Sequence, residues 1–366
     1  MSRCHIGELS RDLHVVVPGA LEQRTGGYIY DARIVRGLRA LGWGVEVHNL
    51  AGTFPDADAA ARTSMTSTLA GIPAGARVVI DGLAMGGLPE PVRAERARLR
   101  LLALVHHPLA DETGLDEPRR ARFAALERDA LAGCTGVLVT SEFTARRLGA
   151  FGVDPERVRA VQPGTDRARP AIGPGADAPP ALLCVASLAP RKGQDVLVRA
   201  LSRLQDLSWT CVCAGSLDRV PGYATMVRGL TREIGLEGRI RFPGECEPDR
   251  LDDLYHHASL FVLPSHYEGY GMALADALAR GLPVVSTTGG AIPHTVPGDA
   301  SVLVPPGDDA ALEEALGRLL ADGTGARRRG ELAHAARRHA QGLPDWTQAA
   351  QAFADALLEL TPDGDV

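Results

Sequence analysis

Two carboxylates eight residues apart, a lone lysine and a strand-end histidine are the side chains of this sequence best suited to chemistry. The carboxylates, Glu268 and Asp276, lie in the stretch from Phe261 to Thr288. Phe261-Val262-Leu263, after Leu260, makes four apolar residues, the length of a buried strand, and stops at Pro264. Ser265 to Gly271 reads as a loop loosened by Gly269 and Gly271, and Met272 to Arg280 is rich in helix formers. Gly281 closes that helix and Pro283 to Ser286 opens the next strand. Strand, glycine loop, helix, strand is one right-handed βαβ unit. The start of such a helix aims backbone N–H groups at the space above the sheet, where phosphates bind. Carboxylates repel phosphate, so Glu268 and Asp276 suit hydroxyls of a sugar or a ribose. The pattern points to a ligand that carries both, a nucleotide-sugar.

Lys192 is the only lysine among 39 basic residues. In a chain so biased to arginine, a lysine marks a place where a compact ammonium is needed. Val185 to Gly193 sets it just after one strand and before a helix, where it can neutralise a diphosphate leaving group. His106 ends another strand. Each residue has a plainer reading: a solvated Arg191–Lys192 pair, a capping histidine, and carboxylates that only answer a helix dipole.

The elements that must position these residues follow in chain order. Leu13 to Val17 is a first strand; a loop with Gly26 and Gly27 then leads into a helix from Tyr28 to Leu41, with apolar residues at helical spacing. The glycine pair is not GxGxxG, so a dinucleotide fingerprint is absent. Strands are expected at Val45–Val47, Arg77–Ile80, Leu101–Val105 and Val137–Thr140, with Ser141 capping the next helix. Asp81 and the pair His106-His107 fall at strand ends. Arg167 to Pro180 is dense in proline, glycine and alanine and reads as a linker. The alternation then restarts from Ala181, and Trp346 to Leu360 is an amphipathic helix.

This describes an α/β protein of two doubly wound, Rossmann-like domains facing each other across a cleft, with ligands outside the C-terminal strand ends. The expected division is 1–166, an N-terminal acceptor-binding domain; 167–180, the linker; 181–345, a nucleotide-sugar-binding domain; and 346–366, a helix crossing back to the first domain.

Composition narrows the partners. The 366 residues are 45% apolar and 23% charged, as in a soluble globular chain, and the net charge of −6 argues against nucleic acid. No apolar run approaches a bilayer span, and the N-terminus lacks a signal-peptide core, so a cytoplasmic location is expected, with membrane contact peripheral at most. The six cysteines, from Cys4 to Cys246, form no CxxC pair; Cys184, Cys211 and Cys213 read as core thiols. Asp56-Ala57-Asp58 is a solvated loop rather than a metal motif, and His256-His257 and Asp252-Asp253 lack ligand spacing. The clusters at Arg327–Arg329 and Arg337-Arg338 read as solvated helix faces.

With these residues in view, the chain resembles the GT-B glycosyltransferases, specifically the retaining family 4. Glu268-Gly269-Tyr270-Gly271 with Asp276 is similar to that family's E-x7-E signature, here E-x7-D. Ala277-x-Ala279-x-Gly281-x-Pro283, Pro190-Arg191-Lys192-Gly193, Ala214-Gly215-Ser216, Phe242-x-Gly244 and Gly289-Gly290 also match. The resemblance implies transfer of a sugar from a UDP- or GDP-sugar to a small-molecule or natural-product acceptor. No cofactor and no metal are implied. Lys192 would bind the donor diphosphate, helped by N–H groups of the loop Gly269, Tyr270 and Gly271; Ser187, Arg191 and Met272 would also line the donor site, and Asp276 would bind the ribose. Glu268 and His106 would meet the donor sugar, Gly26 and Gly27 would approach the phosphate, and Gly244, Glu245 and Cys246 would lie near the base. His106, Lys192 and Glu268 are thus the expected catalytic residues, with Asp81 and His107 on the acceptor side. Ser187 stands where the family usually has a phosphate-clamping arginine, and His294 replaces a frequent acid. The rival readings are a sugar-nucleotide epimerase of the same fold and a degenerate nucleotide-sugar-binding subunit.

Overall fold

The computed structural model describes residues 11–175 and 178–362. Cys4 and the N-terminal stretch read for a signal core lie outside the described residues, as do Ala176 and Asp177 of the proline-rich stretch and the last four residues. The chain divides into two compact units. The first comprises the residues up to Asp111, Leu115–Pro163 and those from Trp346 on; the second comprises Glu112–Gly114 and Gly164–Asp345.

The sheet of the first unit is built from Asp12–Pro18 (β1), Gly44–Leu50 (β2), Arg77–Asp81 (β3), Arg100–Val105 (β4), Gly136–Val139 (β5) and Val158–Ala160 (β6). All pair in parallel, in the order β2-β1-β3-β4-β5-β6. Strands covered on both faces read as continuous apolar runs, and β3 (RVVID) and β5 (GVLV) are buried throughout. The order turns back on itself between β1 and β3, so the chain leaving β1 and the chain leaving β3 diverge, opening a crevice at their C-terminal ends. The helix Gly26–Ala40 follows β1 directly. It begins two residues earlier than its apolar spacing suggests: Thr25 is the N-cap, and Gly26 and Gly27 form the first turn. N–H groups there need no partner within the helix, so a residue without a side chain fits.

The helix Trp346–Leu360 packs in the first unit. A Cβ on Gly37 would stand 2.4 Å from Ala350 Cβ, so the two helices meet where neither has bulk. Trp346 and Phe353 flank the Tyr30 ring, and Arg77 Nε donates to Thr361 Oγ1 at 2.9 Å.

The second sheet comprises Ala181–Val185 (β7), Thr210–Ala214 (β8), Ile240–Gly244 (β9), Leu260–Leu263 (β10), Val284–Thr287 (β11) and Ser301–Val304 (β12). Its order is β12-β11-β10-β7-β8-β9, again all parallel. That is the doubly wound order with its reversal between β7 and β10. Cys184 in β7 and Cys211 and Cys213 in β8 are buried core residues of this sheet. Part of the proline-rich stretch is fastened to this unit: Arg169 pairs with Asp252 and Asp253, and the N–H groups of Ala171 and Ile172 reach the carbonyls of Arg280 and His256, both at 2.8 Å. Backbone polar groups without regular structure need such partners. No helix among the described residues is long and apolar enough to cross a membrane.

Candidate functional site

The reversal between β7 and β10 places the turn after β7 beside the loop after β10. Lys192 and Glu268 therefore meet, although 76 residues separate them: Nζ lies 2.6 Å from Glu268 Oε1. Arg191 Nη1 donates to Glu268 Oε2 at 3.3 Å and to the Tyr267 carbonyl at 2.8 Å, and Ser265 Oγ donates to Oε1 at 2.6 Å. Glu268 is 5% exposed. Burial alone would raise its carboxyl, but the Lys192 ammonium and the Arg191 guanidinium outweigh that and hold it down at about 2. For Lys192 the balance runs the other way. Burial lowers the ammonium, and Glu268 recovers only part of the loss.

Two glycines make the pairing possible. Gly193 sits at φ +66°, and a Cβ there would stand 2.2 Å from the Pro264 carbonyl oxygen. Gly290 sits at φ +61° with its Cβ direction 2.4 Å from the Glu268 carbonyl oxygen, where Ala291 N–H also bonds at 2.8 Å. An L side chain at either position would push the loop apart. The Gly289-Gly290 turn thus acts as a backstop for Glu268. Thr287 braces it, donating to the Ser265 carbonyl at 2.5 Å and accepting from Gly289 N–H at 3.1 Å.

The helix Met272–Ala279 starts from Gly271 as its N-cap. Glu268 precedes that cap, so its place is set by the ion pairs rather than by the helix dipole. Asp276 is the fifth helical residue and half-buried. Its charge acts on the neighbouring Tyr270, which burial first and Asp276 second push up to about 12. Ser187 is half-buried and its carbonyl accepts from Gln194 Nε2 at 3.1 Å. Gly244 ends β9 with Glu245 exposed beyond it, and Cys246 Sγ lies 3.7 Å from the Gly244 carbonyl. What the second unit assembles is therefore an ammonium and a guanidinium on a buried carboxylate, beside a helix start. Lysine carries three donors, and Glu268 takes one of them.

In the first unit, His106 follows β4 and Asp81 ends β3, and the two come together at that sheet's reversal. His106 Nε2 is 3.1 Å from Asp31 Oδ1 and 3.4 Å from Asp81 Oδ2. A Cβ on Gly27 would lie 3.1 Å from His106 Cδ2, so Gly27 backs the imidazole closely; Gly26 faces open space. His107 is half-buried beside them. Sequence reasoning missed Asp31. The signal was there: it is an acid at the head of the series 31, 34, 35, 38, otherwise apolar and buried. Two groups among the described residues carry metal-ligand atoms within 4.8 Å of each other: Asp31–Asp81–His106, and His14–Glu46–His48 on β1 and β2. In the second, His14 Nδ1 and His48 Nε2 are 3.0 Å apart and bonded to each other.

Comparison with known proteins bears on the whole arrangement. A family model described as Glycosyltransferase Family 4 matches residues 83–169, and one described as Glycosyl transferases group 1 matches residues 179–322. The chain is 30% identical over 261 residues to the D-inositol 3-phosphate glycosyltransferase of Acidothermus cellulolyticus, covering 66% of this chain and 58% of that one. It is 30% identical over 289 residues to the enzyme of that name from Streptomyces bingchenggensis, covering 73% and 63%. It thus spans about three-fifths of the length of these curated relatives. Among solved structures, sucrose-phosphate synthase from Thermosynechococcus elongatus superposes with a TM-score of 0.77 at 22% identity, covering 94% of this chain and 97% of that one. Anabaena HepE in complex with UDP-glucose gives 0.73 at 17% identity, covering 94% and 99%. Two six-stranded parallel sheets and these solved structures agree on the GT-B fold, and the chain carries the two glycosyltransferase domains that the group 1 and family 4 models describe.

Proposed function

We propose that this protein transfers a glycosyl group from a nucleoside diphosphate sugar to a small hydroxylated acceptor, with retention at the anomeric carbon. The observation that carries this reading is the Lys192–Glu268–Arg191 cluster at the β7/β10 reversal, next to the start of the helix Met272–Ala279. As the glycosidic bond breaks, the sugar becomes oxocarbenium-like and negative charge grows on the departing diphosphate. A preorganised ammonium and helix N–H groups lower the energy of that charge most when it is greatest. Glu268, anionic at neutral pH and fixed by three partners, suits hydrogen bonds from the donor sugar's hydroxyls, and Asp276 suits those of the ribose. With this positive field in place the chemistry requires no metal. UDP is the first nucleotide to test, because HepE is described in complex with UDP-glucose, and inositol 3-phosphate is the first acceptor, from the name of the curated relatives.

The test is thermal unfolding of the chain with UDP, GDP, ADP, dTDP and NAD, followed by turnover with the sugar of whichever diphosphate binds. A ligand at about 100 times its Kd adds about 2.7 kcal/mol to the folded state, which a melting curve resolves. A shift with one diphosphate and sugar transfer to an acceptor supports the reading. A shift with NAD alone, or conversion of the nucleotide-sugar without any acceptor, rejects it.

A further inference from the structure

His106 is gripped on every side but one. The helix Gly26–Ala40 turns Asp31 inward, so its Oδ1 accepts from His106 Nε2 at 3.1 Å. Asp81 Oδ2 stands 3.4 Å from the same nitrogen, while its Oδ1 accepts the Leu83 N–H at 2.7 Å as a helix cap. Tyr30 sets its ring edge-on to the imidazole at 5.4 Å and is itself tied by a hydrogen bond to the Val161 carbonyl at 3.0 Å. Gly27 closes the fourth side. Both acids engage Nε2, and 21% of the side chain stays accessible.

Asp31 has no evident structural purpose. It is 2% exposed on an otherwise apolar helix face, and its Oδ2 is buried with no hydrogen-bond partner. A buried carboxylate with a bare oxygen destabilises the fold, and such a group persists where it serves something else. The charges around the ring agree. Burial alone would lower the imidazole, but Asp31 and then Asp81 outweigh it and push His106 up to about 10. The Asp31 carboxyl is itself raised, by burial first and by the nearby Asp81, against the opposing pull of His106. Burial chiefly, and Asp31 next, hold the Tyr30 hydroxyl well above its usual range, so it stays neutral.

We propose that Asp31 is a positioning residue for His106: by accepting the Nε2–H it locks the ring and leaves Nδ1–H turned outward, the donor that meets a substrate hydroxyl. The identity of the substrate rests on the glycosyl-transfer reading; the hydrogen-bond arrangement does not.

The experiment uses the full chain labelled with 15N at histidine, with His106→Gln to identify the His106 signals. In the wild-type spectrum at neutral pH both ring nitrogens of His106 should carry protons. In Asp31→Asn the ring should titrate at least about one unit lower, as expected when a close carboxylate is lost. Turnover should fall about tenfold or more with donor KM within about threefold, because the ring and not the nucleotide site is disturbed. Asp31→Glu should restore part of the turnover. A wild-type His106 with an unprotonated Nε2 would overturn the proposal without any variant. So would an Asp31→Asn protein with unchanged titration and unchanged turnover. If the wild type transfers no sugar at all, the function reading falls while the spectrum still reports on the Asp31–His106 contact.

Discussion

Lys192→Ala separates the electrostatic and the structural parts of the donor-site argument. The substitution removes the nearer of the two cations on Glu268 and leaves the carboxylate buried, with Ser265 Oγ at 2.6 Å and Arg191 Nη1 at 3.3 Å. Glu268 is held at about 2 against an ordinary value of 4.5. At about 1.36 kcal/mol per unit, that span corresponds to about 3 kcal/mol of stability at neutral pH. Lys192 is lowered by its own burial and Arg191 supplies part of the pull, so the loss on substitution is smaller, about 1–2 kcal/mol, or a few degrees in Tm. The sign follows from linkage. A carboxyl depressed in the folded state stabilises fully above its unfolded value near 4.5 and loses that contribution as pH falls toward about 2. The Tm gap between wild type and variant should therefore be widest at neutral pH and narrow on acidification. Turnover should fall much further, about 10²–10³-fold, the usual loss when one group opposite a developing charge is removed. Adding Glu268→Gln to Lys192→Ala should recover stability, since the uncompensated buried charge goes, but not activity. The assay pairs melting curves across this pH range with kcat from nucleoside diphosphate release. A kcat within about threefold of wild type would refute the diphosphate role of Lys192.

Other outcomes follow from the same geometry. Asp276→Ala should weaken nucleotide binding by about 1–3 kcal/mol in calorimetry through lost ribose hydrogen bonds; unchanged affinity would leave Asp276 a surface acid of its helix. Gly193→Ala places a Cβ 2.2 Å from the Pro264 carbonyl at φ +66°, so it should lower Tm and nucleotide affinity together, whereas Gly222→Ala, with open space around it, should lower neither. Full turnover is expected after dialysis against EDTA; activity that vanishes and returns with a divalent cation would contradict the metal-free reading and direct attention to Asp31, Asp81 and His106.

The doubly wound architecture was legible because each buried strand is an apolar run stopped by a turn residue: LFVL before Pro264, RVVID before Gly82. Elements that depend on their neighbours were less so. The three residues VRA of β6 carry no pattern of their own and become a strand only by pairing with β5. The proline-rich stretch showed nothing of the Asp252–Asp253 pair that holds Arg169. For the donor site, the spacing of Glu268 and Asp276 and the solitary Lys192 stood out as residue types. That Lys192 and Glu268 touch was hidden, because it follows from β10 lying beside β7, and strand order is decided by packing. Ser265 looked like any loop serine until its hydroxyl was found on Glu268. Asp31 broke its helix's apolar series, and that break was the one available sign.

The helix Trp346–Leu360 gives the protein an unusual order of completion during synthesis. The first unit needs this helix to cover Tyr30 and Gly37 and to supply Thr361 to Arg77, yet the whole segment from Gly164 to Asp345 must be translated first. At ~5–20 residues per second, that intervening stretch takes roughly 10–40 s. Throughout that interval the face of the helix Gly26–Ala40 that will receive Trp346, Ala350 and Phe353 is exposed on the nascent chain. The amino-terminal half is thus the last to be finished. Chaperone capture or aggregation on the ribosome should concentrate on that face, and a stop codon just before Trp346 should harm the first unit more than the second.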